Sequence, residues 1–150
     1  MINYHKDGSI FDSGAQVLVN PVNAVGVMGK GLALEFKNRF FDNFIAYKAA
    51  CDQGKLQAGE VFAYGSNPII LNAATKQHWR NPSDLRDVEM CLFNIRYEIY
   101  ERNLASIAMP ALGCGLGGLI WSDVKSMTER ILGEVPIDIF VYEPKARGGV

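Results

Sequence analysis

Apolar and polar positions follow two different periods along this chain, and each change of period marks an element. Residues 2–5 read as a short edge strand closed by Lys6-Asp7-Gly8, and Gly8-Ser9-Ile10-Phe11 reads as a turn with an apolar return. Ala15 to Asn20 is an almost unbroken apolar run, the mark of a strand covered on both faces. Leu32, Phe36 and Phe40 recur at helical spacing and predict a helix over residues 30–40. Asp42 is placed to cap a second helix that carries Phe44, Ile45 and Ala49 inward and ends near Gln53-Gly54.

Glu60–Tyr64 and Pro68–Asn72 predict two strands around a Gly65-Ser66-Asn67 turn, and Ala73 to Arg80 fits neither period. Asn81 reads as an N-cap, with Pro82 at the first helical position and Asp84 in the first turn. Leu85, Val88, Leu92, Ile95 and Ile99 then follow at spacings of 3, 4, 3 and 4, an amphipathic helix to about Arg102. Ser106 to Met109 is a further buried strand. Ser122 is the expected cap of a helix bearing Val124, Met127 and Ile131, and Ile137 to Tyr142 is the last strand. Lys145 to Val150 reads as a frayed end. Strands alternating with helices predict an α/β fold with a mainly parallel or mixed sheet and helices on both faces. With no repeat or linker, residues 1–150 read as one domain.

Composition narrows the function classes. A net charge of −1 supplies no global basic field, so any nucleic-acid contact must come from a local patch. Three cysteines without C-x-x-C spacing and two scattered histidines argue against a disulfide framework or a metal cluster. That usage suits a reducing cytoplasm. The N-terminus has no apolar signal core, and no apolar run approaches the ~20 residues of a membrane span. The expectation is a soluble, cytoplasmic protein with no metal and no membrane partner.

The chemistry concentrates in three segments. Val17 to Gly31 and Ile107 to Gly118 each run from an apolar strand into a glycine-rich loop and a helix, about ninety residues apart. Glycine loops bring backbone N–H groups close to a ligand, and helix starts favour phosphate. Two such loops leaving one sheet suggest a grip on a diphosphate, so a nucleotide-type ligand leads. Gly113-Cys114-Gly115-Leu116-Gly117-Gly118 formally matches G-x-G-x-x-G, but too little chain follows for a dinucleotide-binding half, so only phosphate binding is kept. In the first loop, Lys30 between Gly29 and Gly31 either touches phosphate or stays solvated. Asn23 either orients a sugar hydroxyl or serves as an Asx cap.

Thr75-Lys76-Gln77-His78-Trp79-Arg80 packs three basic groups and an indole together. A lysine near other cations or partly desolvated has a lowered pKa and can act as nucleophile or acid–base. Trp79 is able to stack on a base and Arg80 to pair with phosphate. The residues alone favour the plainer alternative, a basic loop with Trp79 anchored in the core. Cys114 as a nucleophile would need His78 beside it in space, so a small buried residue between glycines is the better reading.

Taken together, Val19 to Ala33, Thr75 to Arg80 and Pro110 to Trp121 resemble the macrodomain family, specifically its DNA ADP-ribosyl glycohydrolase antitoxin branch (DarG type). The resemblance covers essentially the whole chain. It implies a three-layer α/β/α fold around a mixed, largely parallel sheet. It implies a hydrolase that removes ADP-ribose from DNA bases and so reverses a DNA ADP-ribosyltransferase toxin, with no cofactor beyond ADP-ribose as ligand and product. By the same resemblance Lys76 matches the family's catalytic lysine, and Asn23 would lie by the distal ribose. By the resemblance Gly113, Cys114, Gly115, Leu116, Gly117 and Gly118 would wrap the diphosphate and distal ribose, with Leu112 a further substrate contact. Ser9 and Ile10 sit at the adenine end. Asn20, Met28, Gly29, Gly31, Thr75, His78, Trp79 and Arg80 complete the expected substrate contacts. ADP-ribosylated single-stranded DNA, ADP-ribose and the transferase toxin are the implied partners.

Two departures qualify this. Many macrodomains carry aspartate where Ser9 stands, which shifts adenine recognition toward backbone. A related human glycohydrolase group has aspartate where this chain has Gly117, so a lysine-plus-aspartate scheme does not transfer. The alternatives are a reader that binds ADP-ribose without cleaving it, with Lys76 idle, an ADP-ribose-1″-phosphate phosphatase, or a hydrolase of ADP-ribosyl groups on protein carboxylates.

Overall fold

The computed structural model describes residues 1–145; the end expected to fray lies, beyond Lys145, outside the described residues. Six strands form one sheet in the order β1-β6-β5-β2-β4-β3. They are β1 (Ile2–His5), β2 (Val17–Asn23), β3 (Val61–Tyr64), β4 (Ile69–Lys76), β5 (Ser106–Pro110) and β6 (Asp138–Tyr142). All neighbours run parallel except β3, which returns antiparallel to β4. The helices are α1 (Gly31–Arg39), α2 (Phe41–Asp52), α3 (Leu85–Glu101) and α4 (Trp121–Leu132).

The period-2 alternation of the strands sorts the layers. Val17 and Val19 of β2 point with Leu71, Ile107 and Ile139 into the core beneath Val88, Leu92, Ile95 and Ile99 of α3 and Val124 and Ile131 of α4. Leu18, Ile70 and Ala108 face the other way, onto Phe36 of α1. Val22 and Ala74 meet Phe44 and Tyr47 of α2. Helices therefore cover both faces, as the alternation of elements predicts.

Several local expectations are corrected. Ala73–Lys76 continues β4 rather than forming a loop. β4 lies between β2 and β3 and is buried on both faces there, so no alternation survives to be read. Asp42 does not cap α2: the chain bends at Phe40, which ends α1 and starts α2 without a side-chain cap. Ile45 and Ala49 face outward, and the buried face of α2 is Asn43, Phe44, Tyr47 and Ala50. Hydrophobicity alone misplaces that face because two of its four residues are polar. α3 starts at Leu85, and Asp84 is its cap, accepting from Arg86 N–H at 2.7 Å. The residues expected to open that helix are drawn off, since Ser83 N–H donates to Gly117 O at 3.0 Å. Ser122 lies inside the first turn of α4, whose cap position is Ile120.

Candidate active-site cleft

The carboxyl ends of β2, β4, β5 and β6 open into one cleft of about 1430 Å³. In open α/β sheets this is where ligands bind. Its volume exceeds the roughly 300–1,000 Å³ of a pocket for one small molecule.

A bulge builds its centre. β2 and β4 pair regularly up to Val22 opposite Ala74, and the next pair is Asn23 opposite Lys76. Thr75 is the extra residue, buried, with its hydroxyl donating to Val22 O at 3.5 Å. Bulges re-aim side chains, and this one sets Asn23 and Lys76 side by side at the cleft floor. Lys76 Nζ donates to Trp79 O at 3.3 Å, which folds the following residues back over it.

Asn23 is buried and heavily engaged. Its Oδ1 accepts from Val25 N–H at 3.1 Å, Val27 N–H at 3.4 Å and the Tyr47 hydroxyl at 2.9 Å, while its Nδ2 donates to Val27 O at 2.8 Å. Asn23 is therefore an Asx-type staple, and one of its two amide hydrogens lies outside these contacts.

The walls are the two glycine loops. α1 begins at Gly31 with Lys30 at its cap position and no side-chain cap, so its first N–H groups are open toward the cleft at Leu32 and Ala33. Opposite, the N–H groups of Gly115, Leu116 and Gly117 meet no backbone acceptor among the described residues. A Cβ on Gly31 would lie 3.8 Å from Leu116 Cδ1, so the second loop leans over the start of α1. Gly113 is held at φ +75 with Leu119, Val88 and Ser83 packed where a side chain would go. Gly117 backs onto Ser83, whose hydroxyl fills the space a side chain at 117 would need. Charged lining groups are Lys30, Lys76, Arg80 and Lys145 against Glu35 and Glu143, a cationic excess that suits a diphosphate.

At one end, Ser9 caps a single 3-10 turn (Ile10–Asp12), its Oγ accepting from Phe11 N–H at 3.2 Å. Ile10 is buried, and both residues line the cleft with Tyr142. At the other, Trp79 is 46% exposed, so the core-anchored alternative is wrong. Arg80 lies over its ring at 4.6 Å, and the pair forms the cleft rim. Among the described residues no three His, Cys, Asp or Glu side chains gather as a metal cage.

Five expected contacts fall away from the lining. Asn20 is fully buried: its Nδ2 donates to Asn72 Oδ1 at 3.0 Å and approaches Met28 Sδ at 3.8 Å. Met28 and Leu112 are core residues. Gly31 stands just behind the first-loop wall. His78 is half-buried beside the lining, its Nδ1 accepting from Arg80 N–H at 3.1 Å. Gly29, Thr75, Gly113, Gly115, Leu116, Gly117 and Gly118 do line the cleft. So does Cys114, but burial pushes its thiol up to about 11 and the thiol donates to Leu112 O at 3.6 Å, no setting for a nucleophile. The sequence reading missed Ser83 and Tyr142. A polar residue just before a helix cap and an aromatic at a strand's carboxyl end were the available signals.

A family model, the Macro domain, matches residues 19–128. A DNA ADP-ribosyl glycohydrolase of Thermus aquaticus is 43% identical over 143 residues, covering 91% of this chain and 40% of that protein. The solved macrodomain of Thermus aquaticus DarG superposes with a TM-score of 0.91 at 41% identity, covering 96% of this chain and 99% of that one. Thermosipho africanus DarTG in complex with ADP-ribose matches with a TM-score of 0.86 at 36% identity, over 91% of this chain and 40% of that one. The chain thus spans about two fifths of the length of the curated relatives it matches. On the family match, the sheet order and the two-loop cleft together, the chain belongs to the Macro domain family.

Proposed function

We propose that this domain binds ADP-ribose and hydrolyses the bond between its C1″ and a ring nitrogen of a DNA base, undoing the work of a DNA ADP-ribosyltransferase toxin. The observation that carries the reading is the bulge that sets Lys76 beside Asn23 between two facing sets of open N–H groups. The likeness to a DNA ADP-ribosyl glycohydrolase and to a chain holding ADP-ribose supports it.

In this reading the diphosphate lies between the start of α1 and Gly115–Gly117, and the adenine end reaches Ser9 and Ile10. The free N–H of Asn23 donates to a distal ribose hydroxyl. The loops hold the ribose toward an oxocarbenium-like state. Water adds at C1″ as the C1″–N bond breaks, and the base nitrogen takes a proton. Lys76 supplies that proton, or attacks C1″ itself as an amine: the C1″–N bond breaks, the base leaves with the proton given up by the lysine nitrogen, the furanose opens to an imine at C1″, and water hydrolyses that imine to ADP-ribose and Lys76. Borohydride trapping separates the two, since only the imine leaves a covalent adduct on Lys76. Trp79 and Arg80 at the rim take the neighbouring bases and phosphates of the strand.

The reader alternative has one observation in its favour, the tether of Lys76 Nζ to Trp79 O. Incubation with an ADP-ribosylated single-stranded oligonucleotide decides, with Lys76→Ala alongside. Release of the unmodified strand by the native domain and none by the variant is the expected result. Binding without release in the native domain overturns the catalytic reading and leaves the reader.

A further inference from the structure

We propose that Tyr47, on the buried face of α2, is a positioning residue for the cleft: it fixes the Asn23 amide and through it the whole first glycine loop. The functional half of this inference rests on the reading of ADP-ribose as ligand; the anchoring half does not.

Tyr47 is fully buried, yet its hydroxyl is the polar group that rises from α2 to the end of β2. It donates to Asn23 O at 2.8 Å and to Asn23 Oδ1 at 2.9 Å, one proton shared between the two oxygens of the same residue. The orientation of the Asn23 amide follows from its partners. Val25 and Val27 N–H can only donate, so the atom facing them is the oxygen; Val27 O can only accept, so the atom facing it is the nitrogen. Tyr47 adds a third donor on the oxygen side. A flipped amide would turn an NH₂ group against two backbone N–H groups and the tyrosine.

Oδ1 is therefore saturated, and Asn23 meets a ligand only as a donor, through one hydrogen whose direction α2 sets. The loop beyond rests on the same helix. A Cβ on Gly26 would meet Lys48 Cγ at 3.2 Å and Cys51 Cβ at 3.7 Å, one turn along from Tyr47. Burial pushes the Tyr47 hydroxyl well above its ordinary range, so it stays a donor at every working pH. No cleft residue replaces it: Tyr47 does not line the cleft and acts only through Asn23.

The test begins with the unmodified domain. Amide hydrogen exchange of Val25 and Val27 in the ligand-free protein should be as slow as in β2; exchange at a free-loop rate overturns the anchoring. Tyr47→Phe keeps the ring and removes the hydroxyl. It should speed exchange at both amides and weaken ADP-ribose binding about five- to tenfold, the size of one lost hydrogen bond. On the modified oligonucleotide the loss should fall in KM, with kcat within about twofold. In an Asn23→Ala background, Tyr47→Phe should cost nothing further in affinity, because its route to the ligand is gone. Additive losses, or unchanged affinity in Tyr47→Phe, overturn the positioning role. If the native domain binds no ADP-ribose, the ligand reading falls, and the exchange rates still decide whether Tyr47 anchors the loop.

Discussion

The two glycine-rich loops face each other across one cleft, yet they are held by opposite means. The first is tied down from within. Asn23 satisfies Val25 and Val27, Tyr47 pins Asn23, and below them Asn43, Asn72 and Asn20 form a buried amide chain from α2 through β4 to β2. The second loop has no such side-chain lattice. It is shaped by close backbone turns, Cys114 N–H to Ala111 O at 3.2 Å and Leu119 N–H to Gly113 O at 2.9 Å, and by the single strap from Ser83 to Gly117. Leu116 at its tip is 71% exposed. A loop whose amides are spent is rigid and offers few of them to a ligand. A loop held only at its ends keeps its amides for one. The Asn23 segment of the first wall sets direction, while the start of α1 and the second loop supply grip, which is the division a site needs if it must both orient a sugar and hold a diphosphate.

The largest break in that picture comes from the floor rather than either wall. Lys76→Ala removes the acid–base group while leaving both loops intact, so turnover should fall by about 10²–10⁴ with ADP-ribose affinity within a few fold. Single-turnover strand release paired with calorimetry measures both. Equal losses in both would mean that Lys76 holds substrate and does no chemistry.

The walls come next. Gly117→Ala drives a methyl into the Ser83 hydroxyl and Gly113 O, so the strap must open and the free N–H groups of 115–117 lose their shape. ADP-ribose affinity should drop by more than about tenfold, with a small fall in Tm because the loop is outside the core. A matched change beneath the first wall reads the other way. Asn43→Ala removes two buried hydrogen bonds from Asn72, leaving its Oδ1 to Asn20 and its Nδ2 to Phe62 O, and should cost about 1–3 kcal/mol of stability, seen as a lower urea midpoint. If both variants lost stability equally, the contrast between a laced loop and a strapped loop would be wrong.

What the sequence revealed follows the same divide. The layers, the parallel sheet and both glycine loops were legible because strand and helix periods carry them. The apolar alternation of β2 and the 3-4 spacing of α3 are one-dimensional signals. The laced wall was not legible, because Asn43 and Tyr47 look like surface residues of α2 until Asn72 and Asn23 are placed beside them in space. The bulge at Thr75 was hidden for a related reason: β4 is buried on both faces, so an extra residue leaves no break in any alternation. Asn20 and Met28 stand next to lining residues in the sequence; the pleat of β2 points Asn20 away, and the first loop packs Met28 into the core with Phe44 and Tyr47. The Trp79 rim was readable as chemistry but not as exposure.

That rim extends the comparison to a third region that touches the strand and not the sugar. Trp79→Ala should raise KM for the ADP-ribosylated oligonucleotide by about tenfold, the low end of base–aromatic stacking, and leave free ADP-ribose affinity unchanged. Fluorescence anisotropy of the modified strand against calorimetry of ADP-ribose separates the two. A loss in both would place Trp79 inside the ADP-ribose site and remove the reason to favour a strand over a protein substrate.

The smallest effect belongs to Cys114, in the middle of the grip loop. Its side chain packs inward and its thiol is raised from 9.0 to about 11 by burial, so it is neutral at working pH. Cys114→Ala should therefore leave strand release within about twofold, and alkylation at pH 8 should be slow. The sign of the pH effect is fixed. A thiol with a raised pKa in the folded state lends its full stabilisation below pH 9 and loses it as the pH climbs toward about 11. Cys91, raised to about 12 by the same burial, acts in the same direction within the core. Thermal melts at pH 8 and pH 10 should show native protein falling slightly more than Cys114→Ala over that interval. The difference should be small, since the thiol is half exposed and the second loop is anchored by backbone. A large difference would mean that Cys114 is part of what holds the grip loop in shape, and the strap from Ser83 would then not be its principal restraint.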